Sequence, residues 1–399
     1  MSLRFVPEFR LSIDGEPVPS SLRAAITGVT QASGMEGADR VEIAMANEGL
    51  CWLDHGLLKI DRPLKLELGY ADEPLTQVFV GEIVALEASF PGGSAPTFTV
   101  VAQDKRHRLS QGTKVRWFAI PIPTVGNFAV PDPITAMAVT AENGMIPVID
   151  PVGAAIAVLL GGVDAVVSIT DPGSAQKFVR KQANESDYDF LARIATENGW
   201  DMLVDHGGEL GGHLLRFTSP LDHLQPDVTL AYGRSLLEFQ PRISTVGQVF
   251  SVSGYVWVPQ IKMVFVVTLG WDWDRMALTL SVYPGMVPLG ASGSHHLVQE
   301  PLTATSAPRK ILSEIIPRLN KRLTATGSTV GDPRIQAGRV LRIEGVGEQF
   351  GGLYRITGAT HTLDGSGYRT QFETRKEIWF GSIPASEQGA VRVKVPFAA

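Results

Sequence analysis

Over residues 6–103 apolar and polar side chains alternate with a period of two in short runs. Phe9, Leu11 and Ile13 alternate with Arg10 and Ser12, and Asp14-Gly15 follows as a hairpin-type turn. The same pattern recurs over 41–45, 64–68, 78–83 and 97–102. Strict alternation buries one face of a strand, so at least five short antiparallel strands are expected, in a small barrel or sandwich. Strand patterns return over 236–257 and then at 339–344, 353–361 and 368–376.

Three segments follow a helical period instead. In 186–198, Ser186 is placed to cap, and Asp189 three residues on to reach back to the cap's own N–H. Asp187 and Asp189 put negative charge on the first turn, where the helix dipole favours it. Phe190, Leu191, Ile194 and Ala195 form the apolar stripe, Gly199 supplies a left-handed stop, and 200–204 reads as a strand. Residues 133–144 read as a short helix opened by proline and closed by glycine. Residues 308–323 carry Ile311, Leu312, Ile315, Ile316, Leu319 and Leu323 on one stripe, with Pro317 expected to kink or divide it.

The predicted class is α+β, mainly β: two antiparallel β-barrels with α-containing inserts. The first barrel is placed at 1–116 and an α/β insert at 117–229. The second barrel is placed at 230–258 plus 326–379, a second insert at 259–325, and a C-terminal tail at 380–399. Two β units in one chain suggest an internal duplication, although no clean sequence repeat is visible.

Charge narrows the function. A net charge of −6 and a pI near 5.8 disfavour a nucleic-acid binder. The densest basic cluster, Lys105-Arg106-His107-Arg108, reads as a solvated loop after a strand. Cys51 is the only cysteine, which excludes an intrachain disulfide and a cysteine metal cage. The N-terminal residues lack the apolar stretch of a secretory signal. The longest apolar stretch, 152–169, is interrupted by Gly161, Gly162 and Asp164 and falls short of the ~20 residues of a bilayer span. Within 117–163 only Asp132, Glu142 and Asp150 are charged, so this proline-rich segment is expected to pack against a partner or against the chain's own barrels.

No catalytic, cofactor or metal residue is assigned. Zinc-protease, P-loop and nucleophile-elbow motifs are missing, and Gly345-Val346-Gly347 lacks the third glycine of a dinucleotide fingerprint. His295-His296 is expected in a loop. Asp187 and Asp189 are two apart on a helix and do not face each other. Trp271 and Trp273 would share one strand face, as a sugar-stacking pair or buried between domains.

Three stretches carry a family resemblance. Residues 185–199, ESDYDFLARIATENG, are similar to the "ESD-x-x-FL-x-R" segment of phage late-control protein D and VgrG-type hubs. PEFRLSIDGEPVPSSLRAAITGVT with RVEIAMAN, LKLELGY and VFVGEIVALEASF resembles the family's first tail-tube-like domain. GDPRIQAGRVLRIEGVGEQFGGLYRITGATHTLDGSGYRTQFETRKE resembles its closing barrel. The resemblance is weakest over 117–180 and 259–307. It implies two tail-tube-like barrels and a non-enzymatic baseplate hub of a phage tail or contractile injection system. Such a hub is a homotrimer that adapts a hexameric inner tube protein to a trimeric spike protein, beside other baseplate proteins. It is assembled in the cytoplasm as part of a tail-like particle, with no cofactor, nucleic acid or membrane span. The roughly twenty residues after Trp379 are too few for an OB-fold and needle, so puncture is expected of another chain, and 390–397 is expected to be a spike-docking strand or a disordered tail. The alternative is a carbohydrate-binding or carbohydrate-cleaving tail protein, with Trp271, Trp273 and nearby acids as its site.

Overall fold

A computed structural model describes residues 6–122, 126–155, 157, 180–244, 251–258, 262–272, 277–284, 295–302, 306–378 and 391–394. The chain opens with β1 (Pro7–Ile13), β2 (Glu16–Pro17), β3 (Ile26–Gly34), β4 (Arg40–Ala46), β5 (Pro63–Tyr70), β6 (Thr76–Ser89) and β7 (Thr97–Gln103). These pair antiparallel in the order β3-β4-β7-β6-β5-β1-β2. The predicted alternation is what buries them: Leu11, Val41, Ile43, Leu64, Leu66 and Val100 share one core. Asp14 and Gly15 both adopt positive φ, as a two-residue type I′ hairpin requires.

The first insert holds β8 (Lys114–Ile122), β9 (Gly126–Ala129), β10 (Ile146–Ile149), β11 (Arg180–Glu185), β12 (Asp201–Asp205) and β13 (Leu214–Thr218). They form two small sheets, β11-β8-β9 and β10-β13-β12. The helix Asp187–Asn198 lays Phe190, Leu191 and Ile194 into a core with Val139, Trp200 and Phe217. Ser186 Oγ accepts the Asp189 N–H at 3.1 Å, and Gly199 closes the helix at φ 67°. The Asp189 carboxylate accepts from the Ser186 hydroxyl at 2.7 Å instead of reaching the cap's backbone N–H. The low-charge segment packs within its own insert through Ala136, Val139 and Met145, leaving Trp117, Ile134 and Met137 exposed.

The second unit is β14 (Val228–Ala231) and β15 (Leu236–Ile243), followed after an insert by β20 (Leu323–Val330), β21 (Val340–Glu344), β22 (Gly352–Asp364) and β23 (Gly367–Arg375). Its core contains Leu230, Leu341, Ile343, Tyr354 and Phe372. The intervening β16 (Ser251–Val258), β17 (Met263–Asp272), β18 (Ala277–Pro284) and β19 (His295–Leu302) form a separate sheet with β24 (Val391–Lys394), in the order β19-β16-β17-β18-β24.

Four expectations change here. Residues 251–258 pair in the separate sheet, not in the second barrel, because alternation specifies a buried face and not a partner. Leu323, Thr324 and Ala325, assigned to the insert, open β20 and pair with β15 and β23. His295 and His296 begin a strand that pairs parallel with β16, where a loop was expected. Residues 391–394 pair parallel with β18 of the same chain. The helix Ser306–Asn320 continues through Pro317.

The α+β, mainly β class holds, and the two units are joined in a way the barrel expectation lacks. Residues 358–364 of β22 pair antiparallel with 28–34 of β3. Thirteen strands therefore make one continuous sheet, β15-β20-β23-β22-β3-β4-β7-β6-β5-β1-β2, with β21 and β14 branching from β22. Among the described residues neither unit closes into a barrel.

Candidate functional site

The turn after β7 brings charge into the interior. Arg106 is 1% exposed, so the basic run at 105–108 is not the solvated loop expected of it. Arg106 Nη2 lies 2.6 Å from Asp39 Oδ1 and 2.8 Å from Asp104 Oδ2, and Nε donates to Asp104 Oδ2 at 3.0 Å. Asp39 also accepts the Gly34 N–H at 3.0 Å and meets His206 Nε2 at 2.8 Å. His206 Nδ1 accepts the Val80 N–H at 3.1 Å, which assigns the ring proton to Nε2. Burial pushes the Asp39 carboxyl up, but Arg106, His206 and the Gly34 N–H together hold it below its ordinary value.

Asp39, Asp104 and His206 offer ligand atoms within 4.8 Å of one another. They do not fit a metal: the guanidinium already bridges the carboxylates, and His206 turns a proton toward Asp39. The cluster is instead a clasp, since His206 belongs to the first insert and Asp39 and Asp104 to the first unit. Gly37 N–H donating to Tyr188 Oη at 2.6 Å and Gln77 Nε2 donating to Gly208 O at 3.2 Å tie the same two bodies.

Asp187 is likewise structural. It accepts from Lys114 Nζ (2.6 Å), Arg116 Nη2 (2.5 Å), Asn143 Nδ2 (2.9 Å) and Gln182 Nε2 (2.9 Å). Burial raises its pKa, and these donors overcome that and lower it. It thus pins the helix to β8 and β11, and Asp189 is engaged separately at Ser186. Arg375 joins the second unit to the insert through Asp201 at 3.1 Å. Trp271 falls on β17 opposite Leu278, whereas Trp273 lies outside the described residues. A groove of about 1820 Å³ separates the helix Asp187–Asn198 from the polar face of the second unit, which presents Gln240, Thr326, Gln371 and Glu373.

The two units are copies of one topology. The first runs β3-β4-β7-β6-β5-β1 and the second β15-β20-β23-β22-β21-β14, with the strands in the same chain order. Two of the bulges coincide as well. β3 shifts register against β4 between Ile26 and Gly28, and β15 against β20 between Leu236 and Glu238. β6 shifts against β7 between Ile83 and Ala85, and β22 against β23 between Ile356 and Gly358. Bulges re-aim a strand and are kept as features of a fold. One pairing differs: β1 is antiparallel to β5, while β14 is parallel to β21.

The joint between the units has a weak point. Gln31 on β3 stands opposite His361 on β22, fully buried, with neither atom of its side-chain amide hydrogen-bonded. A buried unpaired amide costs about 1–3 kcal/mol. Gln31→Met should therefore raise the unfolding free energy measured by urea denaturation by a comparable amount, and an unchanged value would mean that the amide is satisfied by water.

The fold is similar to that of solved phage tail proteins. The 43 kDa tail protein of prophage MuSo2 from Shewanella oneidensis superposes with a TM-score of 0.61 at 13% identity, over 94% of this chain and 100% of that one. A tail protein from Neisseria meningitidis MC58 gives 0.59 at 11% identity, over 94% and 98%. An Escherichia coli component of the type VI secretion system, itself structurally similar to the T4 bacteriophage tail proteins gp27 and gp5, gives 0.56 at 12% identity, over 96% and 78%. At such identities the likeness is one of fold. No family model and no curated protein sequence matches the chain.

Proposed function

We propose that this protein is a non-enzymatic structural hub of a phage tail or phage-tail-like injection system. It would act as a homotrimer joining a hexameric inner tube to a trimeric spike, within an assembled particle. The observation that carries this reading is the duplication: two units of one topology, joined edge to edge in a single chain, so that three chains present six. The tail and type VI proteins that share the fold support it, as do the buried ion clusters, which serve as clasps and not as open sites. Closed rotational symmetry would terminate such an assembly. We place its two tube-like domains at strands β1–β7 and at β14, β15 and β20–β23, with an insert after each of β7 and β15. Among the described residues no helix is long and apolar enough to cross a membrane.

Light scattering of the purified chain tests the proposal. Three copies of 43.0 kDa give about 129 kDa, and a trimer with a central channel is expected. A chain that remains monomeric at every concentration, with and without its spike partner, overturns the hub.

A further inference from the structure

The joint inside the chain specifies a second joint between chains. Within the chain, the stretch of β22 after its bulge pairs with β3. The duplication makes β6 the counterpart of β22 and β15 the counterpart of β3. Both counterparts have an open edge among the described residues. β6 pairs with β5 only through residues 76–82, so 84–89 have β7 on one side and nothing described on the other. β15 ends the thirteen-stranded sheet. Unpaired edges of this length are aggregation hazards unless something covers them.

We infer that residues 86–90 of one copy pair antiparallel with 239–243 of a second copy, repeating the β22–β3 joint. The inference rests on the hub reading only in taking that partner to be another copy of this chain. The register follows by transfer. Aligning the bulges places Glu87 at Thr360 and Arg242 at Ala32, and Thr360 pairs with Ala32. Glu87 therefore faces Arg242, Leu86 faces Ile243, Ala88 faces Pro241 and Phe90 faces Phe239.

The chemistry of these pairs is complementary. Opposite charges meet, and three apolar pairs fall together on the other face. Phe90 is 62% exposed and Ile243 36% exposed in the single chain, and the joint would cover both. Phe239 and Leu86 already pack at the margins of the two cores, so the apolar side continues from one copy to the next. Met35 N–H donates to Thr357 O at 3.0 Å in the internal joint. The same parity makes Pro241 a hydrogen-bonded position, where it lacks a donor, so the joint has one bond fewer than its template.

Paired cysteines test the register. Opposed residues at a non-hydrogen-bonded antiparallel position have Cα atoms about 4.5 Å apart, within disulfide range. Cys51 is the sole cysteine and is exposed, so Cys51→Ser is the background. Glu87 and Arg242 are both exposed, so their replacement disturbs no core. Oxidised Glu87→Cys/Arg242→Cys should run on a non-reducing gel as linked dimer and trimer, reverting to monomer on reduction. Glu87→Cys/Glu238→Cys, four residues out of register, should stay unlinked. Charge exchange gives a second measurement: Glu87→Arg or Arg242→Glu alone should weaken association about two- to fivefold, and the two together should restore it. A trimer by mass that fails to link through 87 and 242, or that links equally through 87 and 238, overturns this joint while the hub stands. A chain that never associates overturns both.

Discussion

Replacing Arg106 with methionine is expected to lower the unfolding free energy by about 3–5 kcal/mol, the cost of stranding buried charge when one partner of an ion pair is removed. Two carboxylates depend on this guanidinium, Asp39 and Asp104, exposed by 6% and 0% of their side chains. The substitution leaves them facing each other without a countercharge, and the Asp39 pKa must rise. The loss therefore depends on pH. In the native protein the Asp39 carboxyl is held below 3.8, so its contribution is present above that value and lost as pH falls through the folded pKa. In the variant the Asp39 carboxyl takes up a proton more readily, and the stability gap from wild type should narrow as the solution is acidified. Urea denaturation at neutral pH and near pH 4 reads both effects. Arg106→Met combined with Asp39→Asn and Asp104→Asn should recover most of the loss. A triple variant as unstable as Arg106→Met alone would assign the loss to packing of a large buried side chain instead of to charge.

The misreading of Arg106 shows where sequence legibility ends. Its partner Asp39 lies 67 residues away and His206 is 167 residues from Asp39, so nothing local marks the run at 105–108 as interior. What is local was legible. The helix expected at 186–198 is Asp187–Asn198, with its Ser186 cap and Gly199 stop, and the alternating runs of β4 and β5 bury the face they predict. The duplication was suspected without a repeat to support it, and one site explains the missing repeat. Ile43 pairs with Val100 in the first unit, and the equivalent pair in the second is Gly327 with Phe372. A Cβ on Gly327 would stand 2.5 Å from Phe372 Cζ. Two medium side chains in one unit are replaced by none and one large in the other. Volume and hydrophobic pattern are retained while identity is lost, as core packing permits. Strand register and bulge position survive such exchange, and they are visible only in the structure.

The largest pH effect should come from the seam between the units. His361 on β22 is fully buried, and burial drives its pKa from 6.5 down to about 4. Its tautomer is fixed by its neighbours. Nε2–H donates to Ile335 O at 2.9 Å, while Nδ1 accepts from Tyr368 Oη at 2.9 Å and from Thr370 Oγ1 at 3.0 Å. Thr370 Oγ1 in turn accepts the Asp332 N–H at 3.0 Å, which leaves its own proton for the imidazole. The folded protein thus keeps His361 neutral, while the unfolded chain takes up a proton below pH 6.5. Stability from this residue is complete above 6.5, declines with acidification, and levels off beneath about 4, where the folded state also binds the proton. A shift of that size corresponds to about 3 kcal/mol. His361→Gln retains a donor and an acceptor but cannot titrate. It should be less stable than wild type at neutral pH, and the difference should shrink steadily between pH 6.5 and 4. Parallel curves for the two proteins over that range would place the acid sensitivity elsewhere. Convergence would identify the strand pair that joins the units, with Gln31 opposite His361, as the part of the molecule that acid weakens first.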